Sequence, residues 1–181
     1  PISEAVTDSS VEVFAVELSS FQLHYSKSVA PLAAVCLNIA DDHLDWHESA
    51  VAYRVAKARV YNRTSGVCLY PAGDVVVENM VRQADLPATA RTVGFTSSAP
   101  APGQLGVVGD LLVDRAFTTC SPLALSSGRT LASISDLAHL SPPGQNLLAH
   151  TVSNALAAAG LARTVGTSAA AVATGLAKYT P

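Results

Sequence analysis

The sequence predicts an α/β fold: a mainly parallel sheet flanked by helices, with a small antiparallel β-sheet. Three observations predict it. Apolar, β-branched runs recur without polar alternation, as expected of strands buried on both faces. Segments with helical periodicity separate them. A hairpin pattern between Gly106 and Arg115, with Gly109-Asp110 at its turn, then adds antiparallel character.

The first strand is expected at Val11-Glu12-Val13-Phe14-Ala15-Val16, with the carboxylate of Glu17 at its end. In open α/β sheets ligands bind outside the carboxyl ends of strands, so Glu17 is placed to hold a metal ion or a substrate. The position equally suits a carboxylate left in solvent. The second strand, Ala33 to Ala40, gives way to Asp41-Asp42-His43-Leu44-Asp45. Imidazole and carboxylate are both metal ligands, which makes His43 a candidate ligand. Asp41 or Asp42 capping a helix, with His43 exposed, is compatible with that reading. A helix follows, with Ser49 as N-cap and Ala50 to Tyr61 as its body. Val51, Val55 and either Ala58 or Val60 recur at helical spacing, and Tyr53 and Lys57 share a face. Lys57 between alanines reads, by itself, as an ordinary exposed lysine. Asn62, Arg63 and Gly66 end the helix.

Further along, Gly66 to Tyr70 is expected as a strand and Asp74 to Ala84 as a helix with Val77, Met80 and Val81 on one face. Arg91 to Phe95 reads as a strand and Ser97 to Gly103 as a loop. Gly106 to Val108 and Leu111 to Arg115 form the hairpin, and Arg129 to Ile134 can add a strand. Asn146 to Arg163 and Ser168 to Tyr179 read as helices, the first carrying His150 and Asn154 on one face.

With 181 residues the chain can bury a substantial core as one domain, residues 1–181. Hydrophobic residues make up 49% and charged ones 14%, yet Arg163, glycines and hydroxyls interrupt the longest weakly charged stretch. No membrane-spanning segment and no signal peptide are expected. A net charge of −3 without a basic cluster argues against nucleic acid. Cys36, Cys68 and Cys120 lack metal-type spacing, and free thiols in a reducing cytoplasm are the simplest reading.

Glu-Leu-Ser-Ser-Phe-Gln-Leu from Glu17, Leu-Asn-Ile-Ala-Asp-Asp-His-Leu-Asp from Leu37, and Tyr-Arg-Val-Ala-Lys-Ala-Arg-Val-Tyr from Tyr53 together resemble the central, P-loop-like domain of the Mur ligases. His150 to Ala157 is similar to a further helix motif of that family, with Thr151 where the family usually has Asn. The resemblance is weak between about residues 66 and 145. The form of the first motif points to the branch that adds D-glutamate to UDP-N-acetylmuramoyl-L-alanine in peptidoglycan synthesis.

The resemblance implies an ATP-dependent amide ligase acting through an acyl phosphate. It implies that Glu17 coordinates a magnesium bridging the ATP phosphates and that His43 is a ligand of a second magnesium. It implies that Lys57 is carried as a carbamate, that Asn154 approaches the adenine, and that Ser19 and His43 contact the muramoyl substrate. The chemistry needs such groups. Attack of a carboxylate on a triphosphate brings two anions together, and magnesium offsets the repulsion. A lysine forms a carbamate only when neutral, which desolvation or nearby cations favour.

The family's phosphate loop, Gly-x-x-x-x-Gly-Lys-Ser/Thr, does not occur in this sequence; Ser127-Gly128-Arg129-Thr130 comes nearest. The expectation is therefore most of a nucleotide-binding domain, cut downstream of its phosphate loop, without its N- and C-terminal partner domains and inactive alone. The D-glutamate site would lie in the C-terminal partner. The alternative is a non-catalytic α/β binding or scaffold domain that keeps the fold. A Gly-Lys-Thr-Thr loop upstream of Pro1 would separate the two.

Overall fold

The structure is a computed structural model that describes residues 7–40, 42, 44–117, 128–141, 145 and 147–180. Six strands form one sheet in sequence order: β1 (Ala33–Val35), β2 (Val67–Pro71), β3 (Arg91–Phe95), β4 (Gln104–Val108), β5 (Leu111–Asp114) and β6 (Arg129–Ser133). The first four run parallel, and β4, β5 and β6 pair antiparallel. The antiparallel part continues the same sheet, joined by the pairs Gly94–Gln104 and Phe95–Leu105. The β4–β5 turn uses Gly109 at φ 61, a conformation that glycine adopts without strain.

Helices α1 (Ser20–Tyr25), α2 (Leu44–His47) and α3 (Ala50–Ala58) lie around β1 and the 3₁₀ turn Arg59–Tyr61 that extends α3. Helix α4 (Val75–Gln83) covers one face of β2. Helix α5 (Ala149–Thr164) crosses the other face of β1 to β4, and α6 (Ala169–Lys178) packs on β6. β2 shows why both faces are needed. Val67 and Leu69 join Phe95, Leu105, Val152 and Leu156 on the α5 side; Cys68 joins Ala34, Val77, Met80 and Val81 on the α4 side. A Cβ on Gly160 would run into the Leu69 side chain, so a glycine lets α5 lie close to β2.

Two expectations fail. Val11 to Val16 has no regular secondary structure, and no described strand pairs with it. Val13, Phe14 and Val16 are exposed. A strand is completed by a neighbour's hydrogen bonds, and apolar sequence cannot supply the neighbour. Val51 and Val55 do not form the buried face of α3: they are 68% and 56% exposed, whereas Tyr53 and Ala56 are buried. The helical period is right and its phase is shifted. β1 also stops at Val35, short of the expected Ala40. The strands at β2, β3 and β6, the hairpin, and the face of α4 fall where the sequence places them; Asp74 caps α4 through Oδ1 on the Val76 and Val77 amides. Asp41, His43, Cys120, Ser127 and Asn146 lie outside the described residues. Among the described residues no helix is long and apolar enough to cross a membrane.

A buried charge pair closes the end away from β1. Asp114, fully buried, accepts from Arg163 Nε at 2.9 Å and from the Ala116 and Phe117 amides at 2.8 Å each. Arg163 also donates to the carbonyls of Thr167 and Phe117, at 2.6 and 3.0 Å. Every atom of the pair that burial deprives of water thus finds a partner, the condition under which a buried pair is tolerated. Asp114→Ala is expected to destabilise the fold by about 3 kcal/mol, because it leaves Arg163 beside Phe117 without its counter-ion. Chemical denaturation checks this; a loss below about 1 kcal/mol would mean that the pair is dispensable.

Candidate functional site

Glu17 and Lys57 line one cavity of about 330 Å³. Its walls are Val16, Glu17 and Leu18 from the segment before α1, Val35 to Asn38 from the carboxyl end of β1, and Lys57 and Val60 from α3 and its 3₁₀ extension, with Leu23 from α1. The site thus lies at a strand's carboxyl end, as parallel α/β sheets favour. Glu17 is exposed and Lys57 half-buried. Lys57 is on α3 because Ser49 starts that helix, its hydroxyl accepting from the Ala52 amide at 3.1 Å.

Cys36 lines the same cavity. Its thiol donates to the Asn38 carbonyl at 3.4 Å. Burial pushes the thiol pKa up, and the nearby Lys57 ammonium pulls it down by less. Burial raises Cys68 likewise. Both thiols are therefore protonated and poorly nucleophilic at neutral pH.

The first motif is also a structural device. Ser19 caps α1: its Oγ accepts from the Gln22 amide at 3.2 Å, and the Gln22 side chain accepts from the Ser19 amide at 2.8 Å. This is a complete capping box. Ser20 is buried and hydrogen-bonds His47 Nε2 at 3.0 Å, which ties the first motif to α2. Phe21 stacks on His47 with centroids 5.6 Å apart and meets Trp46 edge-on at 4.8 Å. Arg59 donates to the carbonyls of Leu23 and His24, tying α1 to the end of α3.

The structure therefore brings Glu17 and Lys57 together. Ser19 and Asn154 do not line their cavity. Asn154 lies exposed on α5 and its side chain makes no hydrogen bond among the described residues, so the helix–helix bond that it could have made is not formed there. His43 is outside the described residues. Sequence reasoning missed Cys36 and Asn38 as cavity walls, and Ser20 and His47 as the tie beneath them. The Ser-x-x-Gln spacing at Ser19 was a readable capping signal; nothing local announced the Ser20–His47 contact.

The sequence matches the family model for the Mur ligase middle domain over residues 2–162. The chain belongs to the Mur ligase family. It is 46% identical, over 98% of its own length, to a UDP-N-acetylmuramoylalanine–D-glutamate ligase of Streptomyces coelicolor, of which it covers 36%. Ligases of the same name from Thermobifida fusca and Rhodococcus jostii are 43% and 44% identical over 94% and 99% of the chain. The chain spans about a third of the length of these curated relatives.

Ser20→Ala is expected to cost more stability than Ser19→Ala. Losing the cap costs about 1 kcal/mol. Losing the Ser20 hydroxyl removes a buried hydrogen bond to His47 Nε2 and costs about 1–3 kcal/mol. Urea titration of both variants measures the order; equal losses would show that the Ser20–His47 contact adds nothing beyond local helix capping.

Proposed function

We propose that this chain is the nucleotide-binding middle domain, residues 1–181, of a cytoplasmic ATP-dependent ligase that joins D-glutamate to UDP-N-acetylmuramoyl-L-alanine in peptidoglycan synthesis. The supporting observation is the shared cavity of Glu17 and Lys57 at the carboxyl end of β1, in a chain whose relatives bear that ligase's name.

The residues present fit a magnesium ion with few protein ligands. No cluster of three or more His, Cys, Asp or Glu side chains occurs among the described residues, so a full protein cage is not built there. Magnesium prefers oxygen, keeps several waters and shares substrate phosphates, so one carboxylate and one further anion suffice. Glu17 would supply the carboxylate, and His43 is the proposed ligand of a second ion. Bound magnesium would screen the triphosphate from the incoming substrate carboxylate.

The chain's own groups then have distinct tasks. Glu17, exposed among the cavity's lining residues, would hold the phosphate-bearing side. Lys57, once carbamylated, would present an anion to the same cavity from α3. The apolar lining from Val16, Leu18, Leu23 and Val60 limits water around an acyl phosphate, which water would hydrolyse. Ser19 and His43 are the proposed contacts to the muramoyl substrate. The capping box already engages the Ser19 hydroxyl, so that contact would add to the cap. Asn154, exposed on α5, is the proposed adenine contact.

In the full-length protein, Glu17→Ala should lower kcat for ligation by about a hundredfold or more, with an unchanged melting temperature, because Glu17 is exposed rather than part of the core. Phosphate release that requires both D-glutamate and the muramoyl-alanine nucleotide is the assay; a near-normal rate in the folded variant excludes a metal-ligand role.

Lys57→Ala should be inactive and partly rescued by a small added carboxylic acid, which restores the anion. Rescue by an added amine instead would show that the positive charge is what matters.

A further inference from the structure

The β1–β2 ladder has a fixed phase. The Val67 amide donates to the Leu32 carbonyl at 3.1 Å, and Val35 stands opposite Leu69. In a parallel ladder of that phase the last rung runs from the Cys36 amide to the Leu69 carbonyl. Here the Tyr61 hydroxyl occupies that rung. It accepts from the Cys36 amide at 2.9 Å and donates to the Leu69 carbonyl at 2.7 Å. Val35 and Leu69 remain register partners, and the two bonds through the hydroxyl oxygen span more than one direct bond would.

Tyr61 is fully buried, and burial pushes its pKa far above the ordinary phenol value. The hydroxyl therefore keeps its proton and donates throughout the neutral range. Its ring comes from the 3₁₀ turn directly after Val60, four residues beyond Lys57. One short stretch thus supplies Lys57 to one wall of the cavity and a wedge beneath the facing wall, Cys36 to Asn38.

We propose that Tyr61 is a positioning residue: its hydroxyl, inserted in the last rung of the β1–β2 ladder, splays the carboxyl end of β1 and sets the spacing between Lys57 and the Cys36–Asn38 wall. A phenylalanine would fill the same space and release the Cys36 amide to pair directly with the Leu69 carbonyl. No buried polar group would be stranded, so the fold should persist while the cavity narrows.

The activity arm of the test rests on the ligase reading above; a second arm does not. In the full-length protein, Tyr61→Phe should lower kcat about tenfold or more, since small misplacements of reacting groups are costly. KM for ATP should stay within about twofold, because the wedge acts on geometry rather than on binding. Modification of Cys36 by methyl methanethiosulfonate, located by peptide mass mapping, should slow severalfold as the wall closes. Wild-type kcat together with wild-type labelling in the folded variant overturns the proposal. A wild-type protein without ligation would sink the ligase reading, and the labelling arm would still decide the role of Tyr61. Should Tyr61→Phe fail to fold, the wild type decides: a nuclear Overhauser contact is expected between a slowly exchanging Tyr61 hydroxyl proton and the Cys36 amide. A Cys36 amide bonded directly to Leu69 overturns the wedge.

Discussion

The sheet is covered on both faces, and that constraint decides where chemistry can occur. Val67, Cys68 and Leu69 of β2 are almost wholly buried, two toward α5 and one toward α4. A charged group on either face would be taken out of water without a partner, at a cost that the marginal stability of a domain cannot absorb. Polar side chains are therefore pushed to the strand ends, where backbone groups also lose their ladder. The cavity forms there. Its surroundings hold a capping box, a Ser–His contact and a tyrosine hydroxyl in a rung, each satisfying groups that regular structure leaves over.

Legibility in the sequence follows from how local each signal is. α4 carries its own cap at Asp74 and its own apolar stripe, and the β4–β5 hairpin carries its own turn at Gly109. Both read correctly. Val11 to Val16 did not, because β-branched residues favour a pleated conformation but cannot provide the adjoining strand. The face of α3 failed for a related reason. Valine is more hydrophobic than alanine, yet Ala56 faces the interior and Val51 and Val55 face out. The choice is made by what lies nearby: α1 and α2 pack on α3, and Tyr53 meets His47 of α2.

The candidate site was legible in its charged members and illegible in its walls. By residue type alone Glu17 suits solvent as well as a ligand and Lys57 reads as an ordinary exposed lysine; the family resemblance singles both out, and the structure puts them on one cavity. Cys36 and Asn38 look like ordinary strand residues. The Ser-Ser-Phe-Gln-Leu tail, read as functional, largely has a structural use: Ser19 and Gln22 cap, Ser20 binds His47, and Leu23 is buried. Those two uses support each other. Glu17 is two residues from the capping box, so the geometry that starts α1 also fixes where the carboxylate leaves the backbone.

The two ends of the molecule are mechanically distinct. α1, α2, α3 and the Tyr61 turn are linked by Ser20–His47, by Arg59 to the carbonyls of Leu23 and His24, and by Tyr61 to both strands. Moving one member strains the others, so effects of substitution there should couple. The Asp114–Arg163 node ties β5 to α5 and to the turn before α6, and it shares no partner with that group. Substitutions at groups without shared partners add. Weakening the node would then lower stability while leaving the distance between Lys57 and the Cys36–Asn38 wall as it is. The ties around Tyr61, by contrast, bear both on stability and on the elements that carry Lys57 and the Cys36–Asn38 wall.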